Sequence, residues 1–429
     1  MNAVPLENAV PLENAVPLEN AVPLDFDDFR ARLREVLADI RDDAVASERD
    51  HRLLHDRVRQ VLSYGFGALR LPRELGGAGA TFTQVIETVI ELAEADSNLA
   101  HVFRGHVAHV ETLLQDGGAE LARWAPRFLA GELVGNAQAE RGATADISTQ
   151  ISRDEGGTRL NGTKYYTTGS IYADWIYLVA ADGDGHSGVT VSATAPGVRS
   201  IDDWDGVGQQ LTGSGTTVFT DVPLGDEDIV VLGAEDGFRS RFLSSLFQLY
   251  LLAVVAGIAQ AIVRDTVAFV VPRRRIFGYA GETFPRDDAL VQSVVGDLAA
   301  SAHTARVLVL ASAAEIDAVL AARAAGDDVE QRIVDVQLGV YKAQQVVLRT
   351  VVAEASELFE VGGASAVSRS AALDRHWRNV RTIASHNPAI QRRRAIGDYV
   401  LNGRAPQRAR ATPTTADAST EPGSTRAAG

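Results

Sequence analysis

The stretch FLSSLFQLYLLAVVAGIAQAIV, residues 242–263, contains 22 consecutive residues without a charged side chain. A helix of this length is long enough to cross a lipid bilayer. However, polar residues such as Ser244, Gln248 and Gln260 interrupt the stretch, and amphipathic helical patterns flank it. A helix that is apolar on all sides is typical of the core of a large protein. We therefore predict a core helix inside a bundle, with a membrane span as the less favoured alternative.

The hydrophobic period changes twice along the chain. Residues 26–130 and 236–403 repeat apolar side chains every three to four positions, which is typical of helices. Residues 131–235 alternate with a period of two between glycine and aspartate turns, which indicates strands. The sequence thus predicts a mainly α, α+β fold with an N-terminal helical domain, a middle antiparallel β domain and a C-terminal helical bundle.

Both ends of the chain are predicted to be disordered tails. Residues 1–25 repeat the motif NAVPLE, and a proline every six residues prevents a regular helix. The acidic residues and the lack of an apolar core in this segment argue against a signal peptide. Residues 404–429 contain no large apolar side chain, which is also typical of disorder.

The overall composition excludes several classes of function. The net charge of −15 argues against nucleic acid as the main partner, because binding to phosphates needs a broad basic surface. The absence of cysteine excludes disulfide scaffolds, thiol nucleophiles and thiolate metal sites. Together with the missing export signal, these features lead us to expect a cytoplasmic protein without a membrane partner.

Two motifs suggest familiar sites that their context does not support. GDGHSG (183–188) has the spacing of a dinucleotide fingerprint, but a strand pattern follows it where that fingerprint needs a helix. We interpret it as a hairpin turn, so the chain shows no nicotinamide site. His101, His106 and His109 lie on one predicted helix, but no third ligand with clear spacing accompanies the last two, and we predict no metal site. Packed or surface histidines, or a histidine that faces a pocket, are the remaining interpretations.

Two further segments leave alternatives open. NGTKYYTTGSIYADW (161–175) fits an edge strand, and it also fits an aromatic and hydroxyl surface that binds a planar ligand. LDRHWRNVRTIASHNPAIQRRRAIGDY (373–399) is rich in arginine and contains two of the nine histidines, in an otherwise acidic chain. It fits a solvated basic face, or a pocket for an anionic cofactor with a proton-handling group.

Segments spread over residues 26–403 resemble, in order, motifs of the acyl-CoA dehydrogenase fold, which has a C-terminal four-helix bundle. The segments are LPRELGGAGATF (71–82), GNAQAERGATADI (135–147), NGTKYYTTGSIYADW (161–175), RRRIFG (273–278) and ELFEVGGASA (357–366). The resemblance implies that Tyr166 lies against a flavin, where this family usually has tryptophan, and that Thr168 lies near the flavin N5. The other cofactor-binding residues that it implies are Asn136, Trp204, Arg274, Phe277, Gly362, Gly363 and Ser365.

The chain departs from these dehydrogenases at the catalytic base. Their reaction needs a carboxylate that removes a proton from the substrate. At the two positions where the family carries it, this chain has Ser385, followed by His386, and Phe247. We therefore expect no α,β-dehydrogenation of acyl-CoA.

The sequences DDWDGVGQQLTGSGTT (202–217) and LDRHWRNVRTIASHNP resemble one branch of the fold, the dibenzothiophene monooxygenases and sulfur-acquisition oxidoreductases. That branch implies a two-component monooxygenase that uses reduced FMN, or FAD, from a separate NAD(P)H-dependent flavin reductase. Its C4a-hydroperoxide, formed with O2, oxygenates a heteroatom of a small molecule, and we expect sulfur. N-oxygenation of an amine or amino sugar is the alternative, and a non-catalytic flavin-binding protein is another.

The same resemblance assigns the proton-handling groups. His386 and His101 are the expected catalytic hydrogen-bond donors, with Thr168 beside them, and we expect His386 to titrate near neutral pH. Gly105 stands where this branch often has tyrosine, and Thr168 where it tends to have serine. The fold also implies a homotetramer, in which the loop around Gly362 reaches a neighbouring cofactor. The uncharged helix supports assembly, because one small bundle would not cover it.

Overall fold

The computed structural model describes residues 23–141, 147–232, 237–274 and 284–406. The N-terminal part is helical and begins where Asp25 caps the first helix by accepting hydrogen bonds from the backbone of Asp27 and Asp28. The helices are α1 (Phe26–Arg49), α2 (His55–Ser63), α3 (Phe82–Ala95), α4 (Ser97–Val102), α5 (Arg104–Asp116) and α6 (Gly118–Leu129).

Two helix boundaries in this part bear on the predictions. Thr81 opens α3 with a capping box to Gln84. The expectation that three histidines share one helix was wrong, because the helix is interrupted at Phe103, between α4 and α5. His101 therefore lies on a different helix from His106 and His109.

The middle part is one twisted sheet with the strand order β6-β7-β3-β2-β4-β5-β8, and β1 pairs with β4. Its strands are β1 (Val134–Ala137), β2 (Gln150–Asp154), β3 (Gly157–Lys164), β4 (Trp175–Asp182), β5 (Gly185–Ser192), β6 (Val198–Ile201), β7 (Thr216–Leu224) and β8 (Ile229–Val231). The expectation of a purely antiparallel sheet needs correction, because β4 runs parallel to both β1 and β2. The sheet is mixed.

The dinucleotide-like motif is a hairpin turn, as predicted. Asp182 at the end of β4 pairs with Gly185 at the start of β5, which leaves a two-residue connection. Gly183 in that connection has a φ of +59°, a conformation that glycine adopts without strain. The chain therefore has no helix at the position where a bound pyrophosphate would need one.

Within residues 237–274 and 284–406, the C-terminal part contains three long helices and two shorter ones. These are α7 (Gly237–Val270), α8 (Ala289–Ala324), α9 (Glu330–Glu357), α10 (Asp374–His386) and α11 (Ala389–Asn402). Helix α7 contains the uncharged stretch and packs against α3, α8 and α9. At Gly257, a Cβ atom would lie only 2.5 Å from that of Ala93, so glycine lets α3 and α7 approach closely.

Helix α7 is the core helix that its composition predicted. It is long and apolar enough to span a membrane, but 83% of its most apolar window is buried inside the protein. One hydrophobic cluster joins α7 to the N-terminal helices and to the other bundle helices. The cover that α7 needs beyond the bundle comes from N-terminal helices of the same chain, so its burial gives no support for assembly.

Candidate active site

Three helix ends bring His101, Arg104 and His386 together. His101 lies near the end of α4, Arg104 begins α5, and His386 is the last residue of α10. The ring centroids of the two histidines are 6.5 Å apart. Arg104 and His386 are 282 positions apart in sequence, so only the tertiary fold makes them neighbours.

His101 is buried and held from one side. Its Nδ1 lies 2.9 Å from Oε1 of Gln209, whose amide nitrogen donates to Ser97 Oγ at 3.0 Å. The amide oxygen accepts, so Nδ1 carries the proton and Nε2 is left as an acceptor. Nε2 is buried without a hydrogen-bond partner in the described part of the chain. Burial, with the nearby charge of Arg104, lowers the pKa of His101 to about 3, so the ring is neutral at pH 7.

Arg104 is a buried cation among neutral groups. Its Nε donates to the carbonyl oxygen of Phe247 at 3.2 Å, and its guanidinium lies 4.7 Å from the centroid of the Phe247 ring. Its Nη1 lies 3.5 Å from Nε2 of His386. Burial lowers the pKa of Arg104 to about 10, which still leaves it charged at neutral pH. Sequence reasoning missed this residue, although it lies three positions after His101.

His386 is oriented by two partners and is exposed on one side. Its Nε2 accepts from Arg104, and its Nδ1 lies 3.2 Å from Oδ1 of Asn387. Asn387 is itself fixed by a 2.8 Å hydrogen bond to Gln248 on α7. Partial desolvation and the charge of Arg104 lower the pKa of His386 to about 4. The prediction that His386 titrates near neutral pH was therefore wrong, and its imidazole is neutral at pH 7.

A chain of hydroxyl groups leads from Thr168 to His101. Thr168 Oγ1 and Thr212 Oγ1 each lie 2.7 Å from Ser214 Oγ, and Thr212 also donates to the backbone oxygen of Gln209 at 2.9 Å. The side chain of Gln209 then reaches His101. Thr168 and His101 therefore belong to one polar network. The glycine-, serine- and threonine-rich run 208–217 was the signal for these additional residues.

Tyr166, which is exposed, and Trp204, which is half-buried, form an aromatic surface next to Thr168. Their ring centroids are 5.9 Å apart in an edge arrangement, and the guanidinium of Arg141 lies 4.8 Å from the Tyr166 centroid. The Tyr166 ring is 46% exposed, and its φ of +57° is a strained conformation for a non-glycine residue. Exposed aromatic rings beside buried hydroxyls fit a planar heterocycle such as a flavin.

Asn136 adjoins this site through its backbone. Its N–H donates to the carbonyl oxygen of Thr168 at 3.4 Å, where β1 meets the loop after β3. Helix α5 approaches β1 closely here, since a Cβ atom at Gly105 would lie 2.6 Å from that of Asn136. This contact explains why the tyrosine often found at this position in the resembled branch does not fit this backbone.

Four further expected cofactor residues lie at the other end of α7 or just after it. A Cβ atom at Gly362 would lie 2.3 Å from Phe269, near the end of α7, whereas Arg104 contacts Phe247. The 22 residues between these contact points correspond to about 33 Å along a helix. Gly363 and Ser365 lie in the same turn as Gly362. Arg274 is exposed just after α7, and Phe277 lies outside the described residues.

The two histidines on α5, His106 and His109, contact backbone groups and aromatic rings inside the protein. His106 Nε2 lies 3.0 Å from the carbonyl oxygen of Gly67, and its Nδ1 accepts from the backbone of Val134. His109 packs between the rings of Trp124 and Tyr177. Among the residues that the structure describes, no group of three metal-ligating side chains occurs.

Comparisons with known proteins agree with this architecture. Residues 25–132 match the acyl-CoA dehydrogenase N-terminal domain, and residues 249–390 match the acyl-CoA dehydrogenase C-terminal domain. The FMN-bound TdsC structure from Paenibacillus sp. A11-2 superposes with a TM-score of 0.81 at 25% identity, over 89% of this chain and 98% of that one. The chain belongs to the acyl-CoA dehydrogenase family.

Curated relatives specify the branch. The chain is 29% identical to dibenzothiophene monooxygenase of Mycolicibacterium goodii, over 80% of this chain and 86% of that protein. It is 26% identical to the probable FMNH2-dependent monooxygenase SfnC of Pseudomonas putida, over 80% and 87%. A shorter match, 28% identical over 51% of this chain and 55% of the relative, is L-evernosamine nitrososynthase of a Micromonospora species. Within its family, the chain is a flavin-dependent monooxygenase of the branch that the sequence motifs indicated.

Proposed function

We propose that the chain is the oxygenase component of a two-component system that oxygenates the sulfur atom of a small organic substrate. The observation that carries this proposal is the charge of the site. Ser385 and Phe247 occupy the two positions where an acyl-CoA dehydrogenase would place its base. The hydroxyl of Ser385 donates to the backbone oxygen of Arg381, and the carbonyl oxygen and the ring of Phe247 contact the guanidinium of Arg104. The site thus contains a cation and two neutral imidazoles, which cannot serve as the carboxylate base of dehydrogenation.

Reduced FMN is the proposed cofactor, with FAD as the alternative. The flavin would lie against Tyr166 and Trp204, with Thr168 and Asn136 at its polar edge, because these residues combine aromatic rings with hydrogen-bonding groups. When bound, the reduced flavin supplies two electrons and two protons, so that one atom of O2 reaches the substrate and the other leaves as water. A separate NAD(P)H-dependent flavin reductase would supply it in the cytoplasm.

The side chains of this chain have distinct proposed roles. His101 accepts a proton at Nε2, the atom that is buried and unpartnered. Arg104 stabilises negative charge near the reacting atoms and orients His386 through Nε2. Because His101 and Arg104 are buried, they can act in a water-poor environment, in which fixed donors stabilise developing charge most strongly.

A homotetramer is also part of the proposal. The turn around Gly362 lies about 33 Å along α7 from the contact of Arg104. This separation is too large for both ends to contact one flavin ring within a chain, so Gly362 would serve the flavin of a neighbouring copy. Light scattering should show a tetramer at micromolar concentration, and a fully active monomer would contradict this part of the proposal.

A substrate panel with a generic flavin reductase tests the function. We expect NADH- and reductase-dependent oxygen uptake with organosulfur compounds, and a product heavier than the substrate by one oxygen atom. A hydroxylamine product from amines would instead favour the N-oxygenase alternative, which the nitrososynthase relative motivates. Oxidation of NADH by the pure protein, or dehydrogenation of an acyl-CoA, would overturn the proposal.

A further inference from the structure

Gln209 combines a strained backbone with a buried side chain that is bonded at both of its polar atoms. Its φ is +53°, a left-handed conformation that residues other than glycine and asparagine rarely adopt. The residue is 1% exposed. Its Oε1 accepts from Nδ1 of His101 at 2.9 Å, and its Nε2 donates to Oγ of Ser97 at 3.0 Å. A residue persists in such a conformation only when its surroundings hold it there, and such strain concentrates at functional sites.

Two buried asparagines hold the backbone on either side of this strain. The N–H of Gln209 donates to Oδ1 of Asn379 at 2.6 Å. The N–H of Leu211 donates to Oδ1 of Asn98 at 3.2 Å. Both asparagines donate through Nδ2 to Oε2 of the buried Glu48, at 3.0 and 3.2 Å. One carboxylate on α1 therefore orients an amide on α10 and another on α4, and these two amides fix residues 209–211.

Asp221 on β7 provides a comparison with the same backbone geometry. Its φ is also +53°, and its N–H donates to Oδ1 of Asn161 at 2.8 Å. The side chain of Asp221 is 73% exposed and lies far enough from Arg159, at 3.8 Å, to form only a loose ion pair. At Asp221 this arrangement thus supports a surface strand, whereas at Gln209 it directs a buried amide to a candidate catalytic imidazole.

We infer that Asn379 and Gln209 are positioning residues for His101. Asn379 holds Gln209 in its left-handed conformation, and Gln209 in turn holds the imidazole proton of His101 on Nδ1, because the partner of one ring nitrogen decides which tautomer forms. Nε2 of His101 then stays unprotonated and can accept a proton. The inference rests on the proposed function for that role of His101. It assigns a function to the asparagine that ends the sequence DRHWRN (374–379).

Histidine ¹⁵N NMR of the full chain, without added flavin, tests the inference independently of turnover. The signals that are missing in His101→Gln identify this ring. In the native protein we expect Nδ1 to be protonated and Nε2 to be unprotonated. In Asn379→Ala we expect the two nitrogen shifts to move toward each other, because the released Gln209 no longer selects one tautomer. Gln209→Asn should give the same change, since asparagine adopts the left-handed conformation readily but its shorter side chain does not reach the imidazole.

Asn161→Ala is the matched control, because it removes the same kind of backbone contact from Asp221. It should leave the His101 signals unchanged. Unchanged His101 signals in a folded Asn379→Ala protein, or an equal change in Asn161→Ala, would overturn the inference.

The Asn379→Ala protein should fold, because Glu48 keeps its ion pair with Arg378 at 2.7 Å and its hydrogen bond from Asn98. Circular dichroism checks this expectation for each variant. If Asn379→Ala does not fold, Gln209→Asn decides the outcome, and unchanged His101 signals in that protein overturn the inference.

Turnover separates this inference from the proposed function. With reductase and NADH, Asn379→Ala should lower kcat for oxygenation by up to about 100-fold and change KM little, as expected when a reacting group is misplaced by about 1 Å. In a Gln209→Asn background, Asn379→Ala should cause no further loss, because it acts through Gln209. Additive losses would overturn the inference. If the native protein oxygenates no substrate but the His101 signals still depend on Asn379, the proposed function fails and the positioning role stands.

Discussion

Helix α7 carries two clusters of arginine and histidine that differ in one respect. At Phe247 the cluster consists of Arg104 and His386 and contains no carboxylate among the described residues. At Asp265, about 27 Å further along the helix, the carboxylate meets Arg375 and accepts from His376 Nε2 at 2.9 Å. Both clusters use the same types of basic residue.

The difference shows how one basic segment can have two roles. Burial raises the pKa of Asp265, but the hydrogen bond from His376 and the charge of Arg375 outweigh it, so this pKa is below its usual range. The Asp265 cluster is thus electrostatically complete and ties α10 to α7. The Arg104 cluster lacks a counter-charge and has an unpartnered acceptor in the adjacent His101. The presence or absence of a counter-charge therefore distinguishes a structural cluster from a candidate reactive one.

The largest expected effect is on stability and concerns the complete cluster. Asp265→Asn would leave Arg375 buried without its counter-charge, which typically costs about 3–5 kcal/mol. Chemical denaturation should show this loss in the free energy of unfolding. Asp50→Asn is the control, because it removes an exposed pair with Arg49 and should change stability by less than about 0.5 kcal/mol. Equal effects of the two substitutions would contradict the assigned role of Asp265.

The next effect concerns catalysis in the incomplete cluster. His386→Ala should keep fold and flavin binding while the rate of substrate oxygenation falls, because Arg104, the proposed charge-stabilising group, loses the imidazole that it contacts. The fall should not exceed about 10²–10³-fold, the usual cost of losing a group that stabilises developing charge altogether. Hydrogen peroxide release should rise in proportion. His51→Ala, which removes an exposed histidine paired with Asp202, is the control. If the His386→Ala protein oxygenates substrate without extra hydrogen peroxide release, as the wild type does, this residue has only a packing role.

A smaller, pH-dependent effect is expected at Asp96, which caps α4 and so supports His101. Its side chain accepts from Asn98 and Leu99, and burial raises its pKa to about 6 from an ordinary value near 3.8. A raised carboxyl pKa favours folding below pH 3.8, and this contribution is lost as the pH rises through 6. The rise of this pKa from 3.8 to about 6 corresponds to roughly 3 kcal/mol over the whole titration.

The measurement for Asp96 is the free energy of unfolding at pH 5 and pH 8. We expect native stability to fall between these values relative to Asp96→Asn by about 1–2 kcal/mol, because only the part of the titration between pH 5 and pH 6 is sampled. Parallel stability profiles for the two proteins would show that Asp96 is not the titrating group.

The smallest effect is expected from shortening the N-terminus. Deleting residues 1–22 should change neither assembly nor activity, because the repeats have no predicted role in the site. Leu24 must remain, since its backbone N–H donates to Gly76 at 3.0 Å and its side chain packs at Gly65. Deleting residues 1–24 should therefore lower the melting temperature. Identical melting temperatures for the two deletions would show that Leu24 contributes nothing.

Local features of the sequence were enough to predict the order of the architecture. The spacing of hydrophobic residues predicted helices, then strands, then helices. A helix buries one face with a repeat of about 3.6 residues, and a strand buries one face with a repeat of about two. The strand after GDGHSG excluded a dinucleotide site, and the uncharged run 242–263 predicted a core helix. The missing carboxylates at Ser385 and Phe247 excluded dehydrogenation, because an absent side chain can be read without a structure.

The charge and connectivity of the site depended on the tertiary structure. Arg104 looks like any helical arginine in the sequence. It becomes significant only because the fold buries it and brings it into contact with His386, which lies 282 positions later in the chain. The low pKa values of His101 and His386 likewise depend on desolvation by distant segments. That Arg104 contacts α7 at Phe247 and Gly362 contacts it at Phe269, about 33 Å apart along the helix, follows from which elements pack together. Burial and long-range contact are sums over the whole fold, so a local pattern could not supply them.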